Sequence, residues 1–168
     1  MVKTRDKLID IARQLFAHKG IENTTINDIA QAADKGRRTI YTYFKNKKEI
    51  YNAVVESESE KVVIKLTEVL NMPISPDQKL MEFIFQRFEA MKDLVYRNGS
   101  LRAGFFRDVR KVERARKATT PKEINILESI LQEGVDKGVF RIKHVDKTAM
   151  VMLLCLQGLD VPYIRDNF

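Results

Sequence analysis

The chain has 168 residues, 44% hydrophobic and 32% charged, with 30 Lys+Arg against 23 Asp+Glu for a net charge of +7. That length can bury one good core or two small ones, and an ordinary apolar fraction argues against disorder. A single cysteine, Cys155, excludes an intrachain disulfide and points to a reducing cytoplasm. No signal-like leader is expected, and no apolar run approaches the ~18 residues of a membrane span.

The first predicted helix runs from about Thr4 to Lys19 and stops at Gly20, with Leu8, Ile9, Ala12, Leu15 and Phe16 as its apolar stripe. His18 lies in its last turn, where a cation complements the helix dipole. Thr25 with Asp28 three residues on forms a capping-box-like start to a second helix, whose Ile26, Ile29, Ala30 and Ala33 share one face. Asp34-Lys35-Gly36 makes a short turn, in which Asp34 tolerates a left-handed backbone and Gly36 is an acceptable cap.

A third helix, RRTIYTYF, sends Ile40 and Phe44 back to the core and leaves Arg37, Arg38, Thr39, Thr42 and Tyr43 facing out. Arg can fork onto a guanine edge or a phosphate, and Thr and Tyr hydroxyls can donate to phosphate oxygens, so this pattern suits a recognition helix entering DNA. Charge agrees with position. Residues 1–48 hold 11 Lys+Arg against 5 Asp+Glu, which leaves 19 against 18 in residues 49–168.

The stretch from Arg5 to Val54 resembles the DNA-binding domain of the TetR-type transcriptional regulators. The likeness rests on Ala12, Leu15-Phe16, Gly20, Thr25, Ile29-Ala30, Thr39-Ile40-Tyr41, Tyr43-Phe44, Lys47 and Glu49, and most specifically on the run TIYTYFKNKKEI. The chain departs from the family pattern at Asp34, Lys35, Gly36 and Arg38. The resemblance implies an all-α protein with an N-terminal three-helix helix-turn-helix DNA-binding domain, residues 1–48, and a C-terminal helical ligand-binding and dimerisation domain, residues 49–168. On this reading Arg37 and Thr39 meet base edges, and Arg38 meets either bases or phosphates. Thr25, Tyr41, Thr42, Tyr43 and Lys47 hold phosphates, with Gly36 at the turn.

Asn46, with Glu49 three residues later, caps a fourth helix carrying Ile50, Ala53, Val54, Val62, Ile64 and Leu66 toward Leu70. Asn71 to Pro76 breaks the chain, because each proline disfavours helix at the residue before it. A helix from Asp77 to Arg97 follows, ended by Asn98-Gly99, and another is expected over Leu101 to about Ala118. Thr120-Pro121 then reads as a cap with proline at the first helical position, opening Glu123–Lys137, and Gly138-Val139-Phe140 turns the chain. The run Arg102, Arg107, Arg110, Lys111, Arg114, Arg116 and Lys117 reads as a solvated helix face.

The last clear helix, about Asp146 to Gly158, is apolar nearly all round, through Ala149 to Leu154 and Leu156, and holds Cys155 as a buried thiol. Such a helix needs burial on several sides, so a homodimer is expected through it, with Leu153 and Leu156 in interface or core and help from Glu123–Lys137. The resemblance implies pairing of two C-terminal helices per subunit. The chain ends soon after Pro162, which leaves room for a shortened last helix, a truncation, or pairing through other helices.

Phe83, Phe85, Phe88, Met91, Tyr96, Phe105, Phe106, Met150 and Met152 supply aromatic and thioether surface that either lines an apolar cavity or fills a core. The resemblance implies an unidentified small-molecule effector there, and no individual ligand residue is assigned. Two histidines, one cysteine and no metal-spaced or phosphate-cradling motif argue against an enzyme, a metal or a cofactor. The leading expectation is a repressor that binds a palindromic double-stranded operator and is released by its effector. The alternatives are a protein-interaction module of the same fold and an architectural DNA-binding factor without an effector.

Overall fold

The computed structural model describes residues 2–97 and 109–166, and among them there are seven α-helices and no strand. They are α1 (Val2–Lys19), α2 (Ile26–Ala32), α3 (Arg37–Tyr43), α4 (Lys47–Glu68, followed by a 3₁₀ turn at Val69–Asn71), α5 (Pro76–Arg97), α6 (Val109–Asp136) and α7 (Val145–Asp166). The chain divides into two compact units, Met1–Glu58 with Leu94–Ala115 and Ser59–Asp93 with Arg116–Phe168.

In the first unit α1 packs on α2 and α2 on α3. Its core gathers Leu8, Ile9, Ala12, Phe16, Ile29, Ala30, Ala33, Ile40, Phe44, Ile50, Ala53 and Val54, with Ile11, Leu15, Ile21, Ile26, Tyr43 and Tyr51 partly buried against it. Phe16, fully buried, meets Tyr51 edge-to-face with ring centroids 6.2 Å apart. Gly20 ends α1 with a positive φ of 82°, its N–H bonded to the Phe16 carbonyl. Tyr43, expected to face out, instead rests partly on this core because it lies only three residues past Ile40.

The second unit buries Val62, Val63, Leu66, Val69, Phe83, Phe88, Ile126, Leu127, Ile130, Leu131, Ala149, Leu153 and Leu156. Its interior also holds a charged triad. Arg87 on α5 donates from Nε to Glu123 Oε2 at 2.8 Å, and from Nη1 and Nη2 to the two Asp160 oxygens at 2.6 and 3.1 Å. Burial opposes the guanidinium charge, but the two carboxylates more than offset this and raise its pKa. Lys79, also buried, donates to the Leu70 carbonyl and to Glu133, both at 2.9 Å. Lys137 and Lys79 hold Glu133 below its ordinary pKa.

Several expectations change here. Residues 109–136 form one helix with Pro121 inside it, not a helix that restarts at Thr120. An interior proline costs about 3 kcal/mol. Burial of Ile126, Leu127, Ile130 and Leu131, at roughly 1.5–3 kcal/mol each, outweighs that. The Asn98-Gly99 stop and the helix expected over 101–108 lie outside the described residues, as do Arg102, Phe105, Phe106 and Arg107 and the side chains of Tyr96, Arg110, Lys111, Arg114, Arg116 and Lys117.

The last helix also runs beyond Gly158 and past Pro162 to Asp166, because its final turns have partners. Asp160 reaches Arg87, and Tyr163 stacks on Phe88 at 4.6 Å while donating to Glu89 at 2.7 Å. Ala149, Leu153, Leu156 and Asp160 form its buried face, so Cys155, out of step with them, is exposed rather than buried. Met150, Val151, Leu154 and Leu159 are exposed on α7 too, and Ile64 on α4 faces solvent. Phe85 is 56% exposed, whereas Phe83 is wholly buried among core residues.

Candidate nucleic-acid interface

The outward face of the first unit is built from two short helices and the turn between them. Thr25, in extended backbone, caps α2: its Oγ1 accepts from the Asp28 N–H at 3.1 Å, and its own N–H donates to Asp28 Oδ2 at 2.7 Å. That backbone bond first, and the Thr25 hydroxyl second, hold the Asp28 pKa below its ordinary value. After α2, Asp34 takes φ 53° and the Lys35 N–H returns to the Ala30 carbonyl at 2.9 Å, which is the left-handed turn the sequence suggested. Gly36 caps α3 in extended backbone, and a methyl there would meet nothing, so the position has no steric need for glycine.

Ile40 and Phe44 anchor α3 inward. Their burial leaves Arg37, Arg38, Tyr41 and Thr42 exposed and Thr39 half-buried at the rim. The Thr42 hydroxyl donates to the Arg38 carbonyl at 3.0 Å, so it can offer a phosphate a proton only after rotating away. Lys35, Lys45 and Lys48 are exposed, and α3 itself carries no acid. Asn46 Oδ1 accepts from the Glu49 N–H at 2.9 Å, and Glu49 accepts from the Lys45 N–H at 2.7 Å, which starts α4 close behind α3.

Two contacts were not legible in the sequence. Arg5 on α1 lies with its guanidinium 5.4 Å from the Phe44 ring centroid, placing a cation at the end of α3. Lys47 turns its ammonium to the carbonyls of Ile21 at 2.7 Å and Glu22 at 3.4 Å. Neither pairing follows a local spacing rule, since the partners are far apart in the chain.

Elsewhere, an open groove of about 1170 Å³ runs beside the second half of α6 and the start of α7, lined by polar residues such as Gln132, Glu133, Lys137, Lys143 and His144. Among the described residues, none of the aromatic or thioether side chains considered for an effector cavity lines it. Among the described residues no group of His, Cys, Asp and Glu could hold a metal ion, and no helix is long and apolar enough to cross a membrane.

A basic three-helix unit whose short third helix is braced at two apolar residues and presents arginines, threonine and tyrosine outward is a helix-turn-helix DNA-binding unit of a transcriptional regulator. Residues 8–54 match the family described as bacterial regulatory proteins, tetR family. Over 142 residues the chain is 28% identical to the HTH-type transcriptional repressor KstR2 of Mycolicibacterium smegmatis, covering 82% of this chain and 67% of that protein. It is 32% identical over 89 residues to the HTH-type transcriptional regulator AcrR of Shigella flexneri, covering 52% of this chain and 41% of the relative. The chain thus spans two thirds of the first relative and less than half of the second. The crystal structure of a transcriptional regulator from Cytophaga hutchinsonii is similar in fold, with a TM-score of 0.77 and 25% identity over 92% of this chain and 78% of that one. Residues 8–54 therefore carry the DNA-binding domain of the tetR family, and the chain as a whole is similar to TetR-type transcriptional regulators.

Proposed function

We propose that the protein is a cytoplasmic homodimeric repressor that seats two α3 helices in successive major grooves of a palindromic operator, about 34–36 Å apart, and leaves it when a small-molecule effector binds. The observation that carries this reading is the outward set on α3, held by Ile40 and Phe44 behind the Asp34 turn. Arg37 and Thr39 read base edges, and Arg38 reaches a base or a phosphate. Thr25, Tyr41, Thr42 and Tyr43 hold phosphates, with Gly36 at the turn and Lys47 at the head of α4. Residues 1–48 do the binding, and residues 49–168 supply effector binding and dimerisation.

The mycobacterial relative is named a repressor, which favours repression over activation. The exposed apolar residues of α7 favour a second copy as their cover. An effector shifts binding only by its differential affinity, so it must prefer a body conformation in which the two heads no longer match the half-site spacing. The test is duplex selection from a random pool, followed by a salt titration. A salt-sensitive palindromic winner that a ligand releases supports the reading, and binding that ignores both salt and sequence refutes it.

A further inference from the structure

Lys79, in the first turns of α5, is only 6% exposed, in a place where an apolar side chain would ordinarily sit. Its ammonium donates to the Leu70 carbonyl and to Glu133 Oε2, both at 2.9 Å. Leu70 lies in the 3₁₀ turn that ends α4, and Glu133 lies on α6. One buried cation therefore joins the end of α4 to two other helices.

The bonds meet a local need, because the last carbonyls of a helix have no partner inside it. At the end of α4 the Met72 N–H closes on the Val69 carbonyl at 3.2 Å, and Lys79 serves Leu70. A cation there also meets the negative end of the α4 dipole. Stability alone does not call for a charge, since well-packed apolar residues commonly replace a buried ion pair without loss. What apolar packing lacks is direction. Val62, Leu66 and Val69 settle which face of α4 is buried, and a charge-assisted bond fixes one carbonyl at one angle. The other tie between α4 and α6, Lys122 to Glu60, is about half exposed at both ends and correspondingly weak.

That angle matters because of what α4 connects. It starts at Lys47 in the first unit, whose boundary falls at Glu58, and it ends in the second. Its 22 residues make a rod about 33 Å long. A tilt of about 6° at one end carries the other end about 3.4 Å, the length of one base-pair step.

We propose that Lys79 is a positioning residue: it pins the C-terminal end of α4 to α6 through Leu70 and Glu133, and this pin sets the spacing of the two α3 helices in the dimer. The proposal rests on the dimeric DNA-binding reading above.

The experiment uses the full chain carrying Cys155→Ala and a spin label on His18→Cys, an exposed position of α1. Pulsed dipolar spectroscopy reads the distance between the two labelled heads in the DNA-free dimer. If this chain with Lys79 intact gives no such distance, or selects no palindromic duplex, the dimeric reading itself fails, and this is seen before any Lys79 variant is compared. Lys79→Met should fold with a urea midpoint close to that of its parent, because Glu133 keeps Lys137 as a partner. Its distance distribution should widen by at least about 3.4 Å. Only dimers whose heads match the half-sites bind, so affinity for the selected duplex should fall about tenfold if one dimer in about ten keeps the spacing. A distribution that does not widen overturns the proposal, whatever happens to affinity or midpoint, and so does widening with no loss of affinity. If Lys79→Met fails to fold, Glu133→Gln decides, because it keeps an acceptor for Lys79 but removes the charge. A smaller widening in the same direction upholds the pin, and an unchanged distribution refutes it.

Discussion

Replacing Arg87 with Met should be among the most damaging single changes in the second unit, and the triad explains why. The Arg87, Glu123 and Asp160 side chains are 3%, 7% and 0% exposed, with ion-pair distances of 2.8 and 2.6 Å. Met keeps the length of the stem but leaves two buried carboxylates without their shared cation. Breaking a buried pair in this way costs about 3–5 kcal/mol, a large part of the ~5–15 kcal/mol that holds a typical domain together. With a urea slope of roughly 1–3 kcal/mol/M, the unfolding midpoint should fall by about 2 M.

The triple replacement Arg87→Met, Glu123→Leu, Asp160→Leu removes the charges together and should lie near wild type or above it, because no buried charge is left unpaired. Urea unfolding followed by far-UV circular dichroism reads both variants. If Arg87→Met moves the midpoint by no more than the triple variant does, the triad is not a desolvated network and the reasoning fails.

Three further outcomes follow from the same geometry. Arg37→Ala should cost about 1–3 kcal/mol on the preferred operator and much less on random duplex, and equal losses on both, measured by competition titration, would show that Arg37 reads no base. Leu154→Glu should separate the proposed dimer while leaving the chain folded, since Leu154 is 59% exposed, whereas Leu153→Glu or Leu156→Glu should unfold it because both side chains sit in the core of their own chain. Sedimentation with helix content measured alongside distinguishes these results, and a wild-type monomer at micromolar concentration would remove the interface. Thr25→Ala should cost about 1 kcal/mol by removing the α2 cap. Because the folded Asp28 pKa is lowered, first by the Thr25 backbone N–H that Ala keeps and second by the hydroxyl, the hydroxyl's ionic share is fully present above the ordinary aspartate pKa and is lost as pH falls through the lowered value, so the gap between wild type and Thr25→Ala should narrow in acid without closing.

What the sequence determined by itself is what neighbours along the chain decide. The Thr25–Asp28 capping box, the left-handed Asp34, the Gly20 stop, the Asn46 cap and the inward pair Ile40 and Phe44 all obey spacings of one helical turn, and each is present. The turn between α2 and α3 was readable even without the usual glycine, because a short acidic side chain tolerates that backbone. Only the tertiary structure decided the rest. Arg87 meets partners 36 and 73 residues away, and Lys47 meets a loop 26 residues back, so no local rule could pair them. The proline signal misled at Pro121, and the last helix likewise runs through Pro162, because packing on one side of each helix outweighed a missing backbone donor. The nearly all-round apolar pattern of α7 could not say which face is buried. Cys155 and Leu154 face out because Leu153, Leu156 and Asp160 are the residues that find partners inside the unit, and that choice belongs to the packing of three helices rather than to the sequence of one.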